Sequence, residues 1–340
     1  MKRMFILLAI VLFAAGSLFA EEAVLIDFGL LAADILPDQD NQPTQNRRTV
    51  MDYSNIAGGS FTTEQKAVMK TSLAIVNWDV VLASSSRFVQ NQMLTYTREA
   101  PSKQWGKVMG LRVHFPTEPH NSWAFVKPPF EIPAFEPQAN IDEDGNIEPV
   151  EDNDGITGSS RFEEHYGVIK NVGTIKSVAV NAYGLNFPHG LSTIIIDNQG
   201  SQKSMFMGYL NYDGWGELRW DNPAYVQSVR NRELRLYPLY PTSTPFIKFG
   251  GFLVQRDAAK EGGDFVVYFK DVKVIYDKAV LDTDRDIDDE NLWNIIKDRE
   301  TARKIWEMER FGQNQVLRYL EQQKQAPEGA FTPTSVNEEQ

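Results

Sequence analysis

The sequence predicts a mainly β protein, an antiparallel β-sandwich of jelly-roll type with a C-terminal amphipathic helix. Three observations predict it. Apolar and polar residues alternate in Leu111-Arg112-Val113-His114-Phe115, in Leu234-Arg235-Leu236 and in Val272-Lys273-Val274-Ile275-Tyr276, the rhythm of strands with one buried and one wet face. Turn signals at Gly58-Gly59, Asn198-Gln199-Gly200, Asp213-Gly214 and Gly262-Gly263 punctuate the chain at strand-like intervals. Helix-period segments do not alternate with these strands, which disfavours a doubly wound α/β sheet and leaves a two-layer sandwich.

Residues 1–20 open the chain as a secretory leader. Met1-Lys2-Arg3 precede an uncharged apolar run from Met4 to Phe19, small residues close it, and the expected cut follows Ala20. The run is short for a membrane span and Glu21-Glu22 follow it directly. No later run approaches the length of a span, so no membrane contact is expected once the leader is removed. The absence of cysteine removes disulfides, lipid attachment at a cleavage-site cysteine, thiolate nucleophiles and thiolate metal ligands together. Losing the two charges of Lys2 and Arg3 takes the formal net charge from −12 to −14. Such a balance argues against a nucleic-acid partner, whose phosphates reward a basic surface.

Residues 21–281 form the predicted sandwich. Within them Ala74, Val76, Trp78, Val80 and Leu82 share one face of an extended segment, with Asn77 and Asp79 on the other. The stretch 130–155 holds nine Asp or Glu and no Lys or Arg; it has little to bury and repels itself, and is predicted to be a mobile acidic surface loop. Residues 282–325 are the predicted helix. Asp288 and its acidic neighbours suit a helix N-terminus, and Leu292, Ile295, Ile296, Ala302, Ile305, Trp306, Met308, Val316 and Leu320 mark its apolar stripe, with Gly312 placed to break or kink it. Residues 326–340 are expected to be a disordered tail.

Chemistry is sparse. Asp282, Asp284, Asp286, Asp288 and Glu290 have calcium-loop spacing, but Ile287 stands where that loop needs glycine and Trp293 where it needs a bidentate glutamate. Two acidic turns, Asp142-Glu143-Asp144-Gly145-Asn146 and Asp152-Asn153-Asp154-Gly155, are weak cation candidates. The paired carboxylates of a glycosidase would need a strand, and Asp286-Ile287-Asp288-Asp289-Glu290 lacks an apolar face for one. His114, His120, His165 and His189 do not sit at metal-ligand spacing; His114 is expected to point to solvent and His189 to lie in a turn. No nucleophile elbow or phosphate loop is present. Catalytic residues, metal ligands and cofactor sites are therefore all predicted to be absent.

The distinctive feature is aromatic. Phe206, Tyr209, Tyr212, Trp215, Trp220 and Tyr225 fall within twenty residues around Asp213-Gly214. Exposed Trp and Tyr faces stack on pyranose rings, so Tyr209, Tyr212, Trp215, Trp220 and Tyr225 are candidates for a glycan platform. They are equally candidates for core packing and a protein interface, the commoner fate of such residues.

Several longer stretches resemble one family. They are Val24-Leu25-Ile26-Asp27-Phe28, Asn77-Trp78-Asp79-Val80-Val81, the run from Leu111 to Phe135 with Asn121-Ser122-Trp123 and Lys127-Pro128-Pro129, Val172-Gly173-Thr174-Ile175-Lys176-Ser177, and Asn211-Tyr212-Asp213-Gly214-Trp215-Gly216-Glu217-Leu218. In these the chain resembles the spirochaete flagellar filament outer-layer proteins, the FlaA family. The resemblance implies a periplasmic sheath subunit that coats a core filament of FlaB type beside other sheath subunits and tunes its stiffness, shape and motility. A periplasmic carbohydrate-binding protein of jelly-roll fold is the alternative that the aromatic cluster keeps open.

Overall fold

The computed structural model describes residues 20–31, 49–135, 140–141, 147–148, 161–233, 240–280 and 286–329. Its strands are β1 (Glu21–Asp27), β2 (Met51–Asp52), β3 (Lys70–Thr71), β4 (Asp79–Leu82), β5 (Tyr96–Ser102), β6 (Gly106–Phe115), β7 (Ser122–Lys127), β8 (Asn140–Ile141) and β9 (Ile147–Glu148). They continue as β10 (Val168–Lys170), β11 (Val172–Leu185), β12 (Gly190–Asp197), β13 (Gln202–Tyr209), β14 (Asp213–Asp221), β15 (Phe246–Arg256) and β16 (Gly263–Lys278). The helices are α1 (Thr63–Ala67), α2 (Val89–Met93), α3 (Tyr225–Glu233), α4 (Asp289–Trp293) and α5 (Ile295–Gly329).

Two antiparallel sheets face each other, as the alternation predicts. The first runs β14-β11-β16-β6-β5, and β1 pairs with β16 beyond the end of β6. The second runs β13-β12-β15-β7-β4, with β10 on β15. In the first sheet Val178, Val180 and Ala182 of β11 and Phe265, Val267, Phe269, Val272 and Val274 of β16 are buried. Their neighbours in sequence face the other way, so each strand buries one face only. From the second sheet Leu191, Ile195, Phe249, Phe252 and Val254 complete the core. Phe252 stacks on Phe269 with ring centroids 4.2 Å apart and joins the two layers. Phe28, in the 3-10 turn after β1, fills the space beside Trp78 (5.4 Å), Phe252 (5.8 Å) and Phe249 (6.1 Å).

The structure corrects several sequence expectations. Ala74 to Leu82 is not one extended face. Ile75–Asn77 winds into a 3-10 turn, Ile75 is buried and Val76 exposed, and only Asp79–Leu82 is strand. The winding follows from local hydrogen bonds: the Trp78 indole donates to the Leu73 carbonyl at 2.9 Å, and the Asn77 amide donates to Ala74. The acidic stretch does not begin as a loose loop, because Phe130, Ile132 and Ala134 are buried in the core. Further along it Asn140 pairs with Glu148 and Ile141 with Ile147; the rest lies outside the described residues. Helix α3 interrupts the strands where none was expected, and the Asn222 side chain caps its start by accepting from the Ala224 amide at 3.0 Å. Leu234-Arg235-Leu236, residues 1–19 and residues 330–340 lie outside the described residues.

The C-terminal helix lies on its own sandwich. At its start, the amides of Ile296 and Lys297 donate to the Glu290 carboxylate at 3.2 and 2.8 Å, and Asp288 caps α4 through the Asn291 amide, the roles acidic residues take at helix N-termini. The buried face is narrower than the predicted stripe. Its fully buried residues are Glu307, Met308, Phe311, Gly312 and Gln315, with Val316 and Tyr319 half-buried against the core, whereas Leu292 and Trp306 are exposed. The helix runs through Gly312 without a break, and that glycine lets it close on Ile56, whose Cγ2 would sit 2.8 Å from an added Cβ. Beneath it Lys248 of β15 forms a buried ion pair with Glu307 and a half-buried one, at 3.3 Å, with Glu131, and Arg310 binds Glu131 at 2.6 Å. Phe311 meets Phe130 edge to face at 5.4 Å, and Arg318 binds Asp79 and the Pro129 carbonyl. No helix among the described residues is long and apolar enough to cross a membrane.

His189 lies in the connection between β11 and β12 but does not face solvent. Its ring is buried between Phe115 (5.1 Å) and Phe265 (4.6 Å), and neither ring nitrogen has a hydrogen-bond partner among the described residues. Burial, reinforced by the Arg256 guanidinium and opposed by Asp257, lowers its pKa to about 4. An unfolded histidine titrates near 6.5, so between those values the unfolded chain holds a proton that the folded chain refuses. Stability is complete above pH 6.5 and falls as the pH drops towards 4, by roughly 3 kcal/mol if this group acts alone. Urea denaturation across that range measures the loss, and His189→Phe is expected to flatten the profile.

Candidate functional site

The five aromatic candidates do not form one platform. Along β14 the even positions Gly216, Leu218 and Trp220 turn towards the core and the odd ones outward, because β14 pairs with β11 through Val178↔Trp220 and Tyr183↔Trp215. Tyr212 belongs to the inner side. Its ring lies against Gly184 and Gly216, where an added Cβ would approach within 3.1 and 2.8 Å of the ring, and its hydroxyl donates to the Ala182 carbonyl at 3.2 Å. Burial raises its pKa. Trp220 sits at the edge of the same layer with the Lys203 ammonium 5.2 Å from its ring. Tyr225 begins α3 and donates to Asp277 at 2.9 Å; burial and that hydrogen bond raise its pKa. Tyr209 is exposed on β13, edge to face with Phe206 at 5.3 Å.

Trp215 belongs to a feature that sequence reasoning saw only in part. On the outer face of the first sheet, one cross-strand register places Trp215, Tyr183 and Tyr268 side by side, then Gly110 and Arg98. Tyr183 touches Trp215 at 5.5 Å and Tyr268 at 6.0 Å, both edge to face. Gly110 leaves room for Tyr268, whose ring carbons would stand 3.2 Å from a Cβ there. The row continues into Trp105, 6.3 Å from Trp215. Trp105 lies in the turn of the β5–β6 hairpin and β14 is at the opposite edge of the sheet. The hairpin tip therefore arches over the face that Tyr183 and Tyr268 pave. Tyr183 and Tyr268 were legible in principle, since each falls out of phase with the buried alternation of its strand.

Polar groups surround this row. Asp271 is buried on the same face and accepts from Asn181 Nδ2 at 2.6 Å; burial raises its carboxyl pKa against the pull of Asn181, Lys273 and Lys270. Towards the far end of the face, Asp264 binds His114 and Arg112, each at 3.0 Å, and these two hydrogen bonds lower its pKa. His114, expected in free solvent, is thus tied into a surface ion cluster. Among the described residues no three His, Asp or Glu side chains gather as metal ligands. The arrangement suits adhesion through rings and hydrogen bonds.

The different roles of two tyrosines give an expected outcome. Tyr212→Ala removes a ring packed against two glycines and is expected to cost about 3 to 5 kcal/mol. Tyr209→Ala removes an exposed ring and is expected to stay within about 0.5 kcal/mol of the parent chain. Thermal melts of both variants read the difference.

Comparison with known proteins places this geometry. The family model described as flagellar filament outer layer protein FlaA matches residues 42–285. The flagellar filament outer layer protein of Treponema pallidum is 51% identical over 340 residues, covering 98% of this chain and 97% of that protein. The protein of the same name from Spirochaeta aurantia is 44% identical over 338 residues, covering 97% and 95%. Among solved structures, a family 11 carbohydrate-binding module of a Clostridium thermocellum cellulase is 10% identical with a TM-score of 0.26, covering 60% of this chain and 89% of that module. So slight a likeness carries no argument about a ligand.

Proposed function

Because the chain belongs to the flagellar filament outer layer protein family, FlaA, and is a structural subunit of that layer, we propose that it is exported to the periplasm and coats a core filament of FlaB type beside other sheath subunits, without performing catalysis. The observation that carries this reading is kinship across nearly the whole chain, both sandwich and C-terminal helix included. The start of β1 at Glu21, directly after Ala20, supports removal of residues 1–20 as a leader. In this reading residues 21–281 are the rigid sandwich, 282–325 a helix that braces it, 130–155 an acidic stretch and 326–340 a terminal tail. Docked by its buried Lys248–Glu307 pair, the helix stiffens the subunit it belongs to, and a coat of stiff blocks raises the bending stiffness of the filament beneath. Tyr209 and Trp215 are assigned to contact surfaces, and Tyr212, Trp220 and Tyr225 to holding the β14 edge and α3 in place.

Core filaments stripped of their outer layer and mixed with the purified chain test the proposal. The chain is expected in the filament pellet, with the bending stiffness of the coated filaments raised; a chain that stays in the supernatant contradicts it. One observation favours a second reading. The row Trp105, Trp215, Tyr183 and Tyr268, flanked by Asn181 and Asp271, has the mixture of rings and hydrogen-bonding groups that holds a sugar. Under that reading a glycan array shows binding that Trp215→Ala abolishes, and an array without signal dismisses it.

A further inference from the structure

The two long edges of the sandwich are not alike. β13 and β14 border one side; β4 and β5, which also touch, border the other. On the β4/β5 side the chain between those strands forms the short helix α2, which leaves Phe88 61%, Val89 77% and Met93 75% exposed. Val76, in the 3-10 turn beside β5, is exposed on the same side. Four large apolar side chains thus stand in solvent on this side, and contiguous exposed apolar surface marks contact sites. On the β13/β14 side Phe206 is 45% and Tyr209 50% exposed, and Leu185 at the end of β11 is exposed as well.

Charge divides in the same sense. Arg87, Arg98 and Lys103 stand against Asp79 and Glu99 along the β4/β5 side, and both carboxylates are already paired, Asp79 with Arg318 and Glu99 with Lys107. β14 presents Asp213, Glu217 and Asp221 against Arg219 and Lys203 of β13, so that the carboxylates outnumber the cations by one. One edge is apolar and basic, the other aromatic and acidic. We infer that successive copies of this chain in the outer layer touch edge to edge, the Phe88-Val89-Met93 knob and its arginines on one copy against the Phe206-Tyr209 surface and the β14 carboxylates of the next.

Such a contact is heterologous, since each copy offers a different surface to each neighbour. It propagates without closing unless the rotation between copies happens to close a ring. Pro101 in β5 withholds a backbone donor, which disfavours a sheet running on through main-chain pairing and leaves side chains to make the contact. This inference rests on the outer-layer reading and adds the surface by which that layer coheres.

The test uses two full-length variants bound to stripped core filaments: Val89→Asp with Met93→Asp, which spoils the knob, and Phe206→Asp with Tyr209→Asp, which spoils the opposite surface. All four positions are exposed, and circular dichroism confirms that each variant folds. With a lysine-reactive cross-linker the parent chain on filaments is expected to give a ladder of dimers, trimers and higher rungs. Each variant alone should bind the filament and give monomers. A one-to-one mixture should give dimers and nothing larger, because each copy keeps one good surface. Ladders from either variant alone like those of the parent, or a mixture without dimers, overturn the inference while the outer-layer reading stands. A parent chain absent from the pellet overturns that reading and this inference with it.

Discussion

Strand β16 is the constraint on which the rest of the structure depends. Its sixteen residues pair with β11 on one side, and on the other with β6 through Phe115 to Met109 and then with β1 through Asp27 to Glu21. Its inward side chains from Phe265 to Tyr276 form one wall of the core, and its outward Tyr268 ends the aromatic row against Tyr183. Buried strands of this kind tolerate no slip in register, because a shift of one residue would send Phe269 outward and Tyr268 inward. The β1 strand is locked to it by ion pairs from Glu21 to Lys278, Glu22 to Lys273 and Asp27 to Lys270. The N-terminal strand of the described chain is thereby held in the same sheet as the last.

The second constraint is the charge buried under the C-terminal helix. Lys248 and Glu307 are both nearly inaccessible. A buried pair of this kind adds little net stability but is costly to break, and it specifies where the helix must lie. Together with Phe311 on Phe130 and Arg318 on Asp79 it holds α5 along the second sheet, leaving the arched face of the first sheet and both long edges to neighbours.

Much of the fold was legible in the sequence. Period-two alternation marked β6 and β16 because each buries one face only, and the turn at Asn198-Gln199-Gly200 appears as the β12–β13 connection, with Gly200 in the left-handed region. What escaped had local causes. Hydrogen bonds from Trp78 and Asn77 wound a predicted strand into a 3-10 turn, and the buried Glu307 and Gln315 broke the rule that the inner stripe of a helix is apolar. Phe130, Ile132 and Ala134 were hidden by the acidic composition that follows them. Of the site, Trp215 was visible by its type. Tyr183 and Tyr268 were marked only by falling out of phase with the buried alternation of their strands, and their meeting with Trp215 and Trp105 was not legible, because only the sheet order brings these distant segments together.

Cryo-electron microscopy of native filaments tests the central claim most directly. The account predicts outer-layer density that fits this sandwich as a rigid block, with α5 packed on its own second sheet and adjacent blocks meeting through unlike edges. Density in which α5 leaves its own sandwich to lie on a neighbouring subunit, or in which this block has no place on the filament surface, would contradict it.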